Sequence, residues 1–320
     1  MKQLMSMPLS RTWTPQTWPD LSAACAAARC DGLEMMWAGD EMPDNVPEAL
    51  RVGYHLAFFP DWLDFWREDR PALLKKFGSQ EAWRSFYGGD GHDHLLDYYR
   101  RDLDRAAALD AKYLVFHVTD ISIEEEFTWH WLHTDEEIID AAADLLNQVL
   151  AGREPSPLLL VENQWWPGFR FNDPRLTARL LDAIDYPRKG IMLDIGHLMN
   201  NCSAIRTERE GADYVESMLD LHGDLCRYIR GVHLHQSLSG PYVEQLRRSP
   251  MPELPEDYLA RYSAACRNVY EIDQHQPWHD PAVQRLLRRI HPDFVVHELR
   301  NKGPEDLLRR IRTQQTAMGL

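Results

Sequence analysis

Short apolar runs in this chain end, one after another, on residues able to bind a metal or move a proton. The runs RVGYH, YLVFH, LLLVE, IMLD, GVHLH and FVVHE carry His55, His117, Glu162, Asp194, His233 and Glu298 at or near their C-terminal edges. A short apolar run of this kind reads as a strand buried on both faces, as in a parallel sheet covered by helices. An ionisable side chain at its end leaves the core at one rim, and a carboxylate there is costly unless paired. Two local pairs extend the set: DIGH adds His197 after Asp194, and EIDQHQPWHD supplies Asp273 and His275. Imidazole and carboxylate are what Zn²⁺ accepts when thiolates are absent, and Mn²⁺ or Fe²⁺ suit such a set too. The set exceeds the need of one ion, so two or three ions sharing a bridging carboxylate are expected. Four acids crowded at one rim without cations would repel one another. Taken singly, each residue has a plainer reading: a histidine can end a strand as a structural hydrogen-bonder, and Asp194 can cap the next helix. The joint pattern over six strand ends is what points to metal.

The elements that must position these residues alternate along the chain. Strands are expected at 3–7, 32–37, 51–56, 113–117, 158–162, 191–194, 228–235 and 294–298. Helices are expected at 18–29, 94–109, 134–150 (with Thr134 and Asp135 as cap candidates), 174–184, 211–225 and 281–290. Eight strands separated largely by helices predict an α/β fold of the (β/α)8 barrel type, in which chemistry sits at the C-terminal rim of the strands. One domain over residues 1–320 is expected, with insertions at 57–93 and 236–272 that would shape the pocket or act as lids.

Composition bounds the function. With 35 basic against 50 acidic residues the net charge is −15. Duplex binding draws its affinity from phosphate neutralisation, so nucleic acid is not the expected partner and a small molecule is. No stretch approaches the ~18 apolar residues of a membrane span, and the start MKQLMSMPLSRTW has no secretory h-region. Five scattered cysteines without a CxxC pair read as reduced thiols of a cytoplasmic protein. Nothing in the sequence sets the oligomeric state.

Aromatic residues crowd the expected rim loops: Trp62 and Trp66, Trp129 and Trp131, Trp165 and Trp166, and Trp278. They would wall a site for a large planar or apolar ligand, or pack a lid. Trp129, Trp165, Trp166, Trp278 and His235 are the candidate substrate-binding residues. His297 alternates with Glu298 and is expected to face the helices. His130 and His133 lie in FTWHWLHTD, near the pocket or covering a loop. His92, His94, His222, His279 and His291 are expected at the surface or as caps.

The chain order His55, His117, Glu162, Asp194-x-x-His197, His233, Asp273-x-His275, Glu298 resembles the xylose isomerase-like TIM-barrel superfamily, in particular its endonuclease IV-like branch. The resemblance spans nearly the whole barrel, although the gap between His233 and Asp273 is longer than that branch usually shows. It implies up to three zinc ions. His55, His117 and Glu162 would hold the first; Glu162, Asp194, His233 and Glu298 the second; and His197, Asp273 and His275 the third. It further implies phosphodiester hydrolysis by a metal-bridging hydroxide, with Glu162 and Glu298 as the catalytic carboxylates. The sugar isomerases and epimerases of the superfamily would need only Glu162, Asp194, His233 and Glu298 around one ion. Having His117, His197 and the Asp-x-His pair as well favours hydrolysis, and a non-catalytic metabolite-binding barrel is the third alternative. Acidic charge and Trp-rich loops together look like the cobamide-remodelling phosphodiesterases of this branch, with a corrinoid as substrate.

Overall fold

The computed structural model describes residues 1–320 apart from 13, 39, 40, 42 and 155. Eight strands form a closed parallel barrel in chain order: β1 (Lys2–Leu9), β2 (Gly32–Trp37), β3 (Arg51–His55), β4 (Tyr113–His117), β5 (Leu158–Glu162), β6 (Lys189–Asp194), β7 (Ile229–Leu234) and β8 (Phe294–His297). Closure is by β1 on β8, with Met5 opposite His297. The expected strands are all present. A C-terminal helix, Pro304–Met318, adds to the expected elements; it packs beside Leu21–Ala28 and completes the outer layer.

Alternation along the strands explains the rim. In β4, Tyr113 and Val115 join the cluster inside the barrel while Leu114 and Phe116 join the core beneath the helices. His117 shares the inward parity of Tyr113 and Val115. In β5, Leu158 and Leu160 point inward and Leu159 and Val161 outward, so Glu162 follows inward. Tyr113 fills the barrel so tightly that a Cβ on Gly53 would lie 2.2 Å from its ring, which explains the glycine inside RVGYH. His297 takes the opposite parity, as expected. It is buried against the helices, with Gln3 and Gln314 as partners at 3.1 and 2.8 Å.

The helix expected at 134–150 begins with a full capping box: Thr134 accepts from Glu137 N, and Glu137 reaches back to Thr134 N. Both insertions are largely helical. The first contains Leu63–Trp66, Arg70–Phe77 and Gln80–Tyr87, and the second Gly240–Arg248 and Tyr258–Ile272. They pack on each other: Phe77 stacks on Tyr258 at 4.0 Å, and Arg261 donates to the Lys76 carbonyl at 2.8 Å. Lys76 is itself buried between Asp61 and Asp64, 2.7 Å from each. Phe77→Ala is therefore expected to cost about 3 kcal/mol, read as a lower urea midpoint. No change in midpoint would show that the insertions do not depend on this stack.

Among the described residues no helix is long and apolar enough to cross a membrane, and the five cysteines are free.

Candidate metal centre

Barrel closure brings all nine expected ligands to one rim, where they fall into overlapping clusters. In the first, His55 Nε2, His117 Nε2 and Glu162 Oε2 are separated by 3.1, 3.2 and 3.3 Å. Nitrogen and oxygen ligands about 2.1 Å from a tetrahedral ion stand about 3.4 Å apart. In the second, His233 Nδ1 lies 3.0 Å from Glu298 Oε2, 3.4 Å from Glu162 Oε2 and 3.7 Å from Asp194 Oδ2. In the third, Asp273 Oδ2 faces His197 Nε2 at 3.3 Å and His275 Nε2 at 2.5 Å.

The surroundings fix which nitrogen is free in several of the rings. A carbonyl can only accept, so the Nδ1 of His55 donates to Leu56 O at 2.8 Å and that of His275 to Glu298 O at 2.9 Å. The Nε2 of each of these two is thereby left as a lone pair aimed into the cluster. His233 is set the other way round: Nε2 donates to Glu34 Oε2 at 3.1 Å and Nδ1 is free. His197 Nδ1 lies 3.1 Å from both Asn163 O and the Gln164 amide nitrogen, and its Nε2 faces Asp273. Such outer partners orient metal-ligating imidazoles and raise their basicity. The fit to a cation is tested by the orphans. His233 Nδ1 and Glu298 Oε2 are buried and 3.0 Å apart, yet neither has a hydrogen-bond partner. That is the relation of two ligands to one ion, and the residues fit divalent metal.

Asp194 does both things its position allows. Oδ1 accepts from His197 N at 2.6 Å, capping the short helix Ile195–Asn200, while Oδ2 faces the cluster. Asn163 holds it from behind by hydrogen bonds of 2.9 Å with its main-chain N–H and carbonyl.

Charge within the cluster is balanced by proximity. Burial alone would push Glu162 up, but His117 and His233 beside it hold its carboxyl well below the usual range. Burial would likewise depress His233, and Glu34, Glu162 and Glu298 outweigh it and raise its proton affinity. The same carboxylates that favour a proton on this ring favour a metal ion in its place.

A pocket of about 350 Å³ opens over the ligands, walled by Phe58, Glu126, Trp165, Trp166, Tyr262 and Cys266. The second insertion thus forms part of the pocket wall. A larger cavity of about 580 Å³ lies between the insertions around Lys76 and Tyr258 and contains none of the nine ligands.

Three of the expected substrate-binding residues lie elsewhere. Trp278 is fully buried, with its indole donating to the His235 carbonyl at 2.9 Å; it is core, not rim. His235 is also fully buried, its Nε2 3.0 Å from Asp194 Oδ2 and its ring stacked on His275 at 3.9 Å. It stands with His197, Asp273 and His275 in one ligand cluster and with Asp194 and Glu298 in another, and its Nδ1 is buried without a partner, so it is a tenth potential ligand, closed to substrate. Trp129 lines a neighbouring cleft rather than this pocket, whereas Trp165 and Trp166 are in the wall. Trp62, expected in a rim loop, is buried with its indole on Thr119 O at 2.7 Å. His222, expected at the surface or as a cap, is buried against Phe171 at 3.8 Å. His133 pairs with Asp64 at 3.1 Å under the first insertion.

Two functional neighbours escaped the sequence reading. Glu34 sits in the middle of GLEMMW and takes hydrogen bonds from Tyr113 at 2.7 Å and from His233. Its signal was an acid inside an apolar strand, where it must find partners. Glu126, in the helix Ile123–Thr128, is a buried carboxyl in the pocket wall whose Oε2 lacks a partner. Burial, helped by Asp61, pushes it from 4.5 up to about 8. A carboxyl raised on folding stabilises the protein below its unfolded value and loses that contribution as pH rises through the folded one. Stability should fall by up to about 1.4 kcal/mol per pH unit across this window. Glu126→Gln should remove that slope in urea titrations; an unchanged slope would assign the pH dependence to other groups.

The sequence pattern of the xylose isomerase-like TIM barrel family matches residues 22–308. No curated protein matches at a significant level. Among solved structures, a D-tagatose 3-epimerase-like protein is 17% identical with a TM-score of 0.52, covering 100% of this chain and 97% of that one. Endonuclease IV from Thermus thermophilus is 16% identical with the same TM-score of 0.52, covering 100% and 99%. At such identities the likeness speaks for the fold, and it falls equally on an endonuclease and an epimerase-like protein. The chain belongs to the xylose isomerase-like TIM barrel family.

Proposed function

We propose that this protein is a metal-dependent phosphodiester hydrolase acting on a small metabolite. The observation that carries the reading is the surplus of prepared ligands. One ion in a sugar isomerase would be served by Glu162, Asp194, His233 and Glu298. Here the His55–His117 pair and the His197–His235–Asp273–His275 cluster stand ready beside it, with His55 and His275 each pinned to a backbone carbonyl. Divalent ions bound in such a set lower the pKa of water and offset negative charge on phosphoryl oxygens.

The chain's own residues supply the rest. Glu162 faces His55, His117, His197 and His233, so one carboxylate ties the clusters together. No lysine or arginine lines the pocket among the described residues, so the charge of a phosphodiester would be met at the ligand set. Phe58, Trp165 and Trp166 make a largely apolar wall that excludes water and strengthens electrostatics within. The net charge of −15 turns the choice from DNA toward a small substrate.

The narrower substrate we carry forward is the nucleotide loop of a cobamide, in a cytoplasmic setting. A pocket of about 350 Å³ takes a phosphodiester with one attached ring. The corrin macrocycle would then lie outside, against the insertions. The alternative, a sugar or sugar-phosphate isomerase, is favoured by the Glu162, Asp194, His233 and Glu298 quartet that such enzymes also need. The test is metal content together with turnover of bis(p-nitrophenyl) phosphate, a cobamide and a panel of ketoses. Close to three ions per chain with phosphodiester cleavage supports the reading, and released cobinamide phosphate supports the narrower one. One ion with ketose conversion would replace it.

A further inference from the structure

We propose that a second cleft, separated from the metal pocket by Trp165, is a binding subsite for an oxyanion. That this anion belongs to the substrate rests on the hydrolase reading; the cleft's chemistry does not. The cleft encloses about 340 Å³ and is built by four successive connections of the barrel. Trp129 and Trp131 follow β4, Trp165 and Arg170 follow β5, Asn201 follows β6, and Arg247 follows β7. Trp165 lines both cavities and lies 4.9 Å from the His197 ring.

What sets this cleft apart is its excess of donors. The indole N–H of Trp129, that of Trp165 and Nε of Arg170 have no hydrogen-bond acceptor among the described residues. One buried unpaired donor costs about 1–3 kcal/mol, and these three belong to residues that line one cleft, although each atom is itself sealed from solvent. The guanidinium of Arg247 lies 4.1 Å over the Trp129 ring, an arrangement that leaves the edges of the guanidinium free to donate. Glu244, on the same helix, is paired with Arg206 at 2.9 Å. Arg170 has one arm on Asp135, which holds the group in place at the cleft. No carboxylate lines the cleft among the described residues, although the chain carries a net charge of −15. Two arginines, two indole donors and no acid match an anion rich in acceptor oxygens, either a phosphate or a carboxylate.

Calorimetry on the metal-loaded, full-length protein tests this with inorganic phosphate and, separately, with succinate; which of them binds identifies the class of anion. We expect a saturable site distinct from any phosphate held at the metal centre, and therefore retained in Glu162→Gln. Arg247→Gln should weaken it by about tenfold or more, the scale of a charge-assisted hydrogen bond. Trp129→Phe keeps an aromatic ring for the Arg247 guanidinium but removes the indole N–H together with the second ring, and should weaken it by about fivefold. Binding of neither anion outside the metal centre would overturn the proposal, as would wild-type affinity in both cleft variants. If the site behaves as expected while no phosphodiester is cleaved, the hydrolase reading falls and the subsite stands.

Discussion

If the protein is the proposed hydrolase, Glu162→Gln is expected to abolish hydrolysis, lowering kcat by about a thousandfold or more, the scale of several kcal/mol of charge stabilisation lost at the transition state. Gln keeps the volume but withdraws the negative charge shared by His55, His117, His197 and His233. Metal content should fall by about two ions per chain, because the first cluster is built around this carboxylate and the second includes it. Gln164, which donates to Glu162 Oε1 at 3.3 Å, should keep the side chain oriented and the fold intact. Metal analysis and circular dichroism on the purified variant check both halves. A folded variant that retains its metals and its turnover would remove Glu162 from the centre of the site.

The second large effect is expected from His275, and it separates the two enzymatic readings. His275→Ala should release one ion and reduce phosphodiester cleavage by about 10²–10³-fold, the range for losing one preorganised electrostatic partner. An enzyme using only Glu162, Asp194, His233 and Glu298 would lose little. His275 has φ +46°, in the left-handed region, where asparagine is better tolerated than alanine. His275→Asn is therefore the companion variant: it spares the backbone and withdraws the imidazole. Equal loss in both variants places the effect in the lost ligand. Loss in Ala alone would place it in backbone strain, and full activity in both would favour the mononuclear isomerase.

Why was so much of this site legible in the chain? Parallel barrel strands are buried on both faces, so their sequences are apolar until the rim. The first ionisable group after each run is therefore conspicuous. Period-two alternation then settles direction: Tyr113, Val115 and His117 face the barrel interior, and so do Phe294, Val296 and Glu298. The same logic placed His297 outward. It faltered where rim and core look alike in sequence. Trp278 follows a histidine-rich loop yet plunges beneath it, and His235 shares the inward parity of His233 while being sealed among the ligands. The helices of the first insertion are not legible in the sequence because they are short and derive much of their order from the second insertion, as in the Phe77–Tyr258 stack.

The sequence by itself determined the barrel, the rim and the chemical kinds of ligand gathered there, because these follow from local periodicity and from the cost of burying charge. Only the tertiary structure decided which nitrogen His233 and His275 offer, since that depends on partners remote in the chain. Glu34 sets His233 across 199 residues, and His275 is pinned by a carbonyl 23 residues ahead. Closure of β1 on β8 turns a row of separate strand ends into a ring, and the ring makes Glu162 common to clusters that the chain presents one by one. Neighbours across a barrel are set by strand tilt and register, which no local pattern encodes.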